Sequence, residues 1–203
     1  MNLGDSKITA IVPLRSKTTA MSRLREDLGN KLVNDIVYNL MMNTIDILIG
    51  LNIEVIVLTS DETLYKNGST RFKIIIDKGI SLNKAVSDCL DQIEDDKILF
   101  VMPDLPGLTR KIMLKFLSVK ELELNVIVPT HDRGTAIAYL PKFMFSKKLF
   151  GKSSADRFIG LSNKLKIALA VFEKEEISRD LDTLEDWYFW KSHIFELFFN
   201  GSK

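Results

Sequence analysis

Asp104 lies in the stretch Met102, Pro103, Asp104, Leu105, Pro106, directly behind the apolar run Ile98 to Met102. A carboxylate fixed just past a strand end, with a proline on either side of the turn, can ligate a hard cation such as Mg2+. The competing job for an Asp in a turn is to cap a helix or close an Asx turn. Thr109 is better placed to cap the helix that follows, so the metal reading accounts for Asp104 better. A second source of carboxylates is the segment Asp180, Leu181, Asp182, Thr183, Leu184, Glu185, Asp186. Thr183 or Asp182, with Asp186 beyond it, can cap a C-terminal helix. Alternation puts Asp180 and Asp182 on one side of an extended segment, and one carboxylate more than capping needs is left over. Asp182 is the expected second metal ligand, with Asp180 as the alternative. Mg2+ usually takes only one or two protein carboxylates and completes its shell with water and phosphate oxygens.

The third chemical segment follows the first apolar run, which ends at Pro13. It carries the cations Arg15, Lys17 and Arg23 and the hydroxyls Ser16, Thr18, Thr19 and Ser22. Arg and Lys donors with nearby backbone N–H groups can hold a triphosphate; the alternative is a solvated basic loop. It is not a P-loop, and neither is Gly151, Lys152, Ser153, because Ser146 stands where that motif requires its earlier glycine.

Positioning these loops requires buried strands. Short Val- and Ile-rich runs at Ile8 to Leu14, Ile53 to Leu58, Phe72 to Ile76, Ile98 to Met102, Val126 to Val128, Ile137 to Leu140 and Ile167 to Phe172 alternate with helical spacing. Several are apolar throughout, which is expected of strands covered on both faces. Leu32, Val33, Ile36, Val37, Leu40, Met41, Ile45 and Leu48 mark a long amphipathic helix. Shorter patterns cover Leu82 to Ile93, Ile112 to Val119 and Leu184 to Phe198. The expectation is one α/β domain over residues 1–203, with its chemistry at the carboxyl ends of the strands where strand order reverses. With 28 Lys plus Arg against 27 Asp plus Glu, the net charge of +1 gives no general attraction to nucleic acid or membrane. The short apolar runs, the polar N-terminus and the lone Cys89 lead to the expectation of a cytoplasmic protein without a membrane span. The two histidines, His131 and His193, read as isolated from the aspartate motifs. Trp187, Tyr188, Phe189, Trp190, Phe195, Phe198 and Phe199 give the last helix more aromatic area than one buried stripe requires, and a homodimer contact is expected from the surplus.

Taken in order, the motifs resemble those of the 2-phospho-L-lactate guanylyltransferase family of coenzyme F-420 biosynthesis. The match runs through Val12 and Pro13; Ser22, Arg23 and Leu24; Gly79, Leu82, Asn83 and Ala85; and Pro103, Asp104, Leu105, Pro106, Leu108 and Thr109. It continues with Gly134 and Thr135; Phe150, Gly151 and Ser154; and Asp180, Leu181, Asp182, Thr183, Glu185 and Asp186. The family is more distantly similar to molybdenum-cofactor nucleotidyltransferases. The resemblance implies a three-layer α/β/α sandwich of the nucleotide-diphospho-sugar-transferase type with a mixed, mostly parallel sheet. It implies transfer of GMP from GTP to a small phosphorylated acid, with Mg2+ on Asp104 and Asp182. Pro13, Arg15, Lys17, Ser22 and Arg23 would meet the nucleotide phosphates, Gly79, Leu82 and Asn83 the nucleoside, and Thr135, Gly151 and Ser154 the acceptor. Arg15 and Met21 replace usual lysines, Ala136 an asparagine, and Phe158 a common histidine. These departures leave phosphoenolpyruvate and phosphoglycerate as acceptors beside phospholactate, and a sugar-phosphate or molybdopterin transferase or a silent nucleotide binder as rivals.

Overall fold

The structure, a computed structural model, describes residues 8–14, 19–67, 70–78, 80–120 and 125–199. Seven runs form seven strands: β1 (Thr9–Leu14), β2 (Glu54–Thr59), β3 (Lys73–Ile76), β4 (Lys97–Val101), β5 (Asn125–Pro129), β6 (Thr135–Pro141) and β7 (Leu169–Val171). They make one sheet in the order β3-β2-β1-β4-β6-β5-β7. Only β6 runs antiparallel, to both β4 and β5. The other pairings are parallel.

The central strands are apolar along most of their length because each face meets helices. In β1, Ala10, Val12 and Leu14 enter one core while Ile11 enters the other; in β4, Leu99 and Val101 part from Ile98 and Phe100 in the same way. The first core is closed by α1 (Ser22–Leu28), α2 (Asn30–Ile49), α5 (Arg110–Lys120) and α9 (Leu184–Phe198). The second is closed by α4 (Leu82–Leu90), α6 (Lys142–Phe145) and α7 (Ser154–Leu165). The expected three-layer sandwich is thus present. The short helices α3 (Glu62–Asn67) and α8 (Glu175–Ser178) complete the described elements.

By length and apolar content α2 would also pass for a membrane span. It is the main helix of the first core, with Val33, Ile36, Val37, Leu40, Met41, Ile45 and Leu48 buried against the sheet. Cys89 is fully buried on α4, and burial pushes its thiol up to about 11, as suits a core residue. Trp187 and Trp190 of α9 are buried, whereas Tyr188, Phe189 and Phe195 on its other side are exposed.

Two helices alter the sequence reading. The segment read as a basic loop up to Leu24 becomes helical at Ser22, with Met21 in the left-handed region at φ 52° ahead of it. The element read as a Phe-Gly-x-x-Ser loop likewise turns helical at Ser154. Phe158, the departure from a common histidine, is fully buried on α7 and packs edge-on to Phe145 and Phe150. It is a core residue rather than a modifier of the acceptor, because helical phase turns it into the second core.

Candidate active site

Strand order reverses between β1 and β4, since β2 and β3 lie on one side of β1 and β4 on the other. Parallel neighbours whose connections leave in opposite directions open a crevice at their carboxyl ends. A cleft of about 440 Å3 lies there, lined by Pro13 and Leu14 from β1, Met102, Pro103 and Asp104 after β4, Leu82 and Ala85 from α4, and Leu181 and Asp182 from the loop before α9. Met21, Ser60, Asp77 and Ser81 also contribute. Of the residues expected to bind nucleotide or metal, Pro13, Leu82, Asp104 and Asp182 thus share one cleft. Arg15, Lys17 and Gly79 lie outside the described residues. Ser60 and Asp77, just past β2 and β3, were not singled out from the sequence, although the strand-end rule that found Asp104 covers them.

The turn that carries Asp104 is tightly held. A side chain at Gly107 would lie 1.9 Å from the carbonyl oxygen of Glu176, so only glycine fits there. The carbonyl of Asp104 accepts the Leu181 N–H at 2.9 Å, tying this turn to the second aspartate loop. Thr109 caps α5 through its hydroxyl, which takes the Ile112 N–H at 3.3 Å, and Asp104 plays no part in the cap. Instead its Oδ1 is shut off from solvent and meets no hydrogen-bond partner among the described residues. A buried carboxylate oxygen without a donor is costly, and sites where such a cost persists are often functional.

Burial, then the charge of Asp180, and after it those of Asp182 and Asp132, push the Asp104 carboxyl up to about 7. Asp180 rises to about 6, through burial first and then Asp132, Asp186 and Asp182. Asp104 and Asp180 thus each feel the charges of Asp132 and Asp182. The larger influence on Asp104 comes from Asp180, the alternative in the sequence reading, rather than from Asp182. Asp182 is instead paired with Arg23 at 2.8 Å, an ion pair whose side chains are 46% and 72% exposed respectively. Ser22, the first residue of α1, is exposed beside it. No group of three or more acidic, His or Cys side chains is gathered closely enough for a complete metal cage among the described residues. A cation here would need ligands from its substrate, as Mg2+ commonly does.

The loop before α9 has a capping box at its end. The Thr183 hydroxyl accepts the Asp186 N–H at 3.3 Å, and Asp186 Oδ2 takes the Thr183 N–H at 2.9 Å. Asp186 also receives Arg179 Nε at 2.8 Å, and despite its burial these donors hold its carboxyl below the usual range. Capping thus consumes Thr183 and Asp186 and leaves Asp180 and Asp182 for other work.

Asp132, in the turn between β5 and β6, was missed because a lone Asp in a hairpin reads as turn chemistry. It does serve the turn, accepting the Thr130 hydroxyl and, at 3.0 Å, the Gly134 N–H. Each histidine contacts the backbone of a segment that carries one of these aspartates. The His131 N–H reaches the Ser178 carbonyl at 2.8 Å, and His193 Nε2 lies 3.1 Å from the Pro106 carbonyl. Tertiary packing brings these chain positions together, which spacing along the chain conceals.

Two of the residues expected to receive the acceptor, Thr135 and Ser154, meet beside β6. The Thr135 and Ser154 hydroxyls are 2.8 Å apart and both side chains are buried. Gly151 adopts φ 119°, a conformation side chains rarely allow. The adjoining Ala136 carbonyl accepts the Met102 N–H at 2.9 Å, which sets this group beside the turn of Asp104. Asn83 departs from expectation: both ends of its amide are bonded to the backbone of Phe150, at 3.0 and 2.9 Å, rather than turned to the cleft.

The sequence matches a known family over nearly the whole chain: the model of the CofC-like guanylyl transferases fits residues 8–201. The chain belongs to the CofC-like guanylyl transferase family. Among its relatives, 2-phospho-L-lactate guanylyltransferase of Methanocaldococcus jannaschii is 25% identical over 203 residues, covering 100% of this chain and 87% of the relative. Solved structures share the fold at lower identity. A protein described as a nucleotide-diphospho-sugar transferase from Desulfovibrio desulfuricans G20 superposes with TM-score 0.77 at 14% identity, covering 97% of this chain and 90% of that one. A Mycobacterium tuberculosis H37Rv protein solved in complex with manganese gives TM-score 0.60 at 11% identity, covering 90% and 97%. By family the chain is therefore a guanylyl transferase, and it shares the fold of these solved structures.

Proposed function

We propose that the protein transfers GMP from GTP to the phosphate of a small phosphorylated acid, 2-phospho-L-lactate or phosphoenolpyruvate, with release of pyrophosphate, as a step of coenzyme F-420 biosynthesis in the cytoplasm. The observation that carries this reading is the Asp104 carboxylate, its buried oxygen unpartnered among the described residues, at the switch-point cleft among neighbouring aspartates. Family membership and the naming of the Methanocaldococcus jannaschii relative supply the nucleotide and the acceptor class.

A phosphate oxygen of the acceptor attacks the α-phosphorus of GTP. The new P–O bond forms as the bond to the β-phosphate oxygen breaks, and pyrophosphate leaves with that electron pair. The attacking oxygen is already anionic at neutral pH, so no general base is required. The obstacle is repulsion between anions and the charge that gathers on pyrophosphate. A divalent cation, for which we propose Mg2+ held by Asp104 and Asp182 with Asp180 beside them, supplies the charge that offsets both. The manganese complex of the Mycobacterium tuberculosis protein is consistent with a divalent ion in this fold.

The chain's own residues do the rest. Arg23 is paired with Asp182, and on substrate binding it exchanges that carboxylate for a phosphate. Arg15 and Lys17 are proposed to join it. Pro13 and Leu82 bound the nucleotide, and Thr135, Gly151 and Ser154 orient the acceptor. Ser154→Ala is expected to raise the acceptor KM about tenfold, the worth of one hydrogen bond to a charged group, with the GTP KM nearly unchanged. Steady-state kinetics with each substrate varied in turn checks this, and equal effects on both would remove Ser154 from the acceptor side.

Incubation with each nucleoside triphosphate and a panel of phosphorylated acids, sugar phosphates and molybdopterin, with pyrophosphate as readout, tests the proposal. Highest turnover with GTP and a three-carbon phosphorylated acid is expected. Preference for a sugar phosphate or molybdopterin would replace the acceptor, and failure of every pair would leave a nucleotide binder.

A further inference from the structure

We infer that Asn83 is a positioning residue whose amide holds the loop on the acceptor side in register with the nucleotide cleft. The inference deepens the proposed function and rests on its division of the site into nucleotide and acceptor sides.

Asn83 is the second residue of α4, and its neighbour Leu82 lines the cleft. Its own side chain bridges to a segment 67 residues away: Nδ2 donates to the Phe150 carbonyl at 3.0 Å, and Oδ1 accepts the Phe150 N–H at 2.9 Å. One carboxamide thus satisfies both backbone groups of one residue, as a neighbouring strand would. Asp lacks the donor and would set a carboxylate against a carbonyl, and Gln is longer by one methylene.

Phe150 is fixed from its other side as well. Its ring lies 4.5 Å from that of Phe100, centroid to centroid, within the second core. Held by main chain and side chain, Phe150 sets the starting point of Gly151, which turns at φ 119°, and of the path to Ser154. At the far end the Ser154 hydroxyl is anchored 2.8 Å from Thr135. Of these attachments, the Asn83 bridge is the one made by the helix that lines the nucleotide cleft. In-line transfer requires the acceptor phosphate to stand at a fixed offset from the α-phosphate, and displacement by a fraction of an ångström is enough to slow such a reaction. Asn83 joins the two halves across which that offset is set.

The test uses the full chain with Asn83→Ala and Asn83→Asp. The acceptor KM is expected to rise about tenfold, the worth of two neutral hydrogen bonds, while the GTP Kd measured by calorimetry stays within about twofold of the wild type. A rise in the GTP Kd with an unchanged acceptor KM would overturn the inference and return Asn83 to the nucleoside. Parallel losses for both substrates would also overturn it, as those of a residue that merely supports the fold. Amide hydrogen exchange supplies a readout that needs no turnover. Residues 150–154 are expected to exchange faster in Asn83→Asp, while β1 and β2 keep wild-type protection. If the wild type transfers to no phosphorylated acid, the functional reading has failed and exchange still decides the bridge: unchanged exchange at residues 150–154 overturns it. Should Asn83→Ala fail to fold, Asn83→Asp carries both measurements.

Discussion

Asp104→Asn is expected to lower cation-dependent pyrophosphate release by about a thousandfold while making the protein more stable above pH 7, the first figure being typical for loss of a group that stabilises transition-state charge. The two effects share a cause. The carboxylate is held where burial and three other aspartates oppose its charge, which raises it to about 7 against 3.8 for an ordinary Asp. The folded state therefore binds this proton more tightly than the unfolded chain. Stability falls as pH rises from about 4 to about 7, and the penalty is complete above that. Asn carries no charge and escapes it. Each pH unit of displacement is worth about 1.4 kcal/mol, and Asp180 shares the repulsion, so a gain on the order of 2 kcal/mol at pH 8 without divalent cation is expected, vanishing near pH 4. Thermal unfolding at pH 8 and pH 4 measures the one effect and a pyrophosphate assay the other. Full activity in the variant would refute the metal assignment; unchanged stability at pH 8 would refute the electrostatic account of the site.

Asp182→Asn is expected to act on turnover almost alone. Its ion pair with Arg23 is largely exposed, and such pairs contribute about 0–1 kcal/mol to folding, so the melting temperature should move by only a few degrees at most. In the proposed reaction the same two residues hold cation and phosphate, and loss of one charge there is expected to lower kcat by about a hundredfold or more. Asp180→Asn is the informative companion, since Asp180 has the stronger effect on Asp104. If Asp180→Asn abolishes turnover while Asp182→Asn retains it, the second ligand is Asp180 and Asp182 serves to hold Arg23 in waiting.

Much of the fold was legible because the strands that matter are buried on both faces. Continuous runs such as Val55 to Leu58 leave little alternative to a central strand, and β2 covers Glu54–Thr59. The capping roles were also legible: Thr109 and Thr183 sit where capping geometry requires them, and both accept the expected N–H groups. What escaped were elements whose signal is short or polar. In α7, Ala155, Phe158 and Ser162 are buried at spacings of three and four, a pattern open to the sequence but obscured by the Gly151 motif just before it. Strand order was beyond reach, because antiparallel β6 enters between β4 and β5 by long-range pairing that no local pattern encodes. That placement brings Asp132 to Asp104 and Asp180, and so the fourth carboxylate could not be foreseen. The Asn83 bridge is hidden for a related reason: a motif records that a residue is needed, whereas the partner, Phe150, is set by the packing of α4 and α6 on one face of the sheet.

The central claim is transfer of a nucleotidyl group to a phosphorylated acid. The most direct measurement follows GTP, Mg2+ and phospholactate or phosphoenolpyruvate by phosphorus NMR. The account predicts pyrophosphate and a new diphosphate-bridged guanylyl product in equal amounts, with neither formed when the acid or the divalent cation is left out. Release of inorganic phosphate in place of pyrophosphate, or pyrophosphate formed at the same rate without an acceptor, would contradict it.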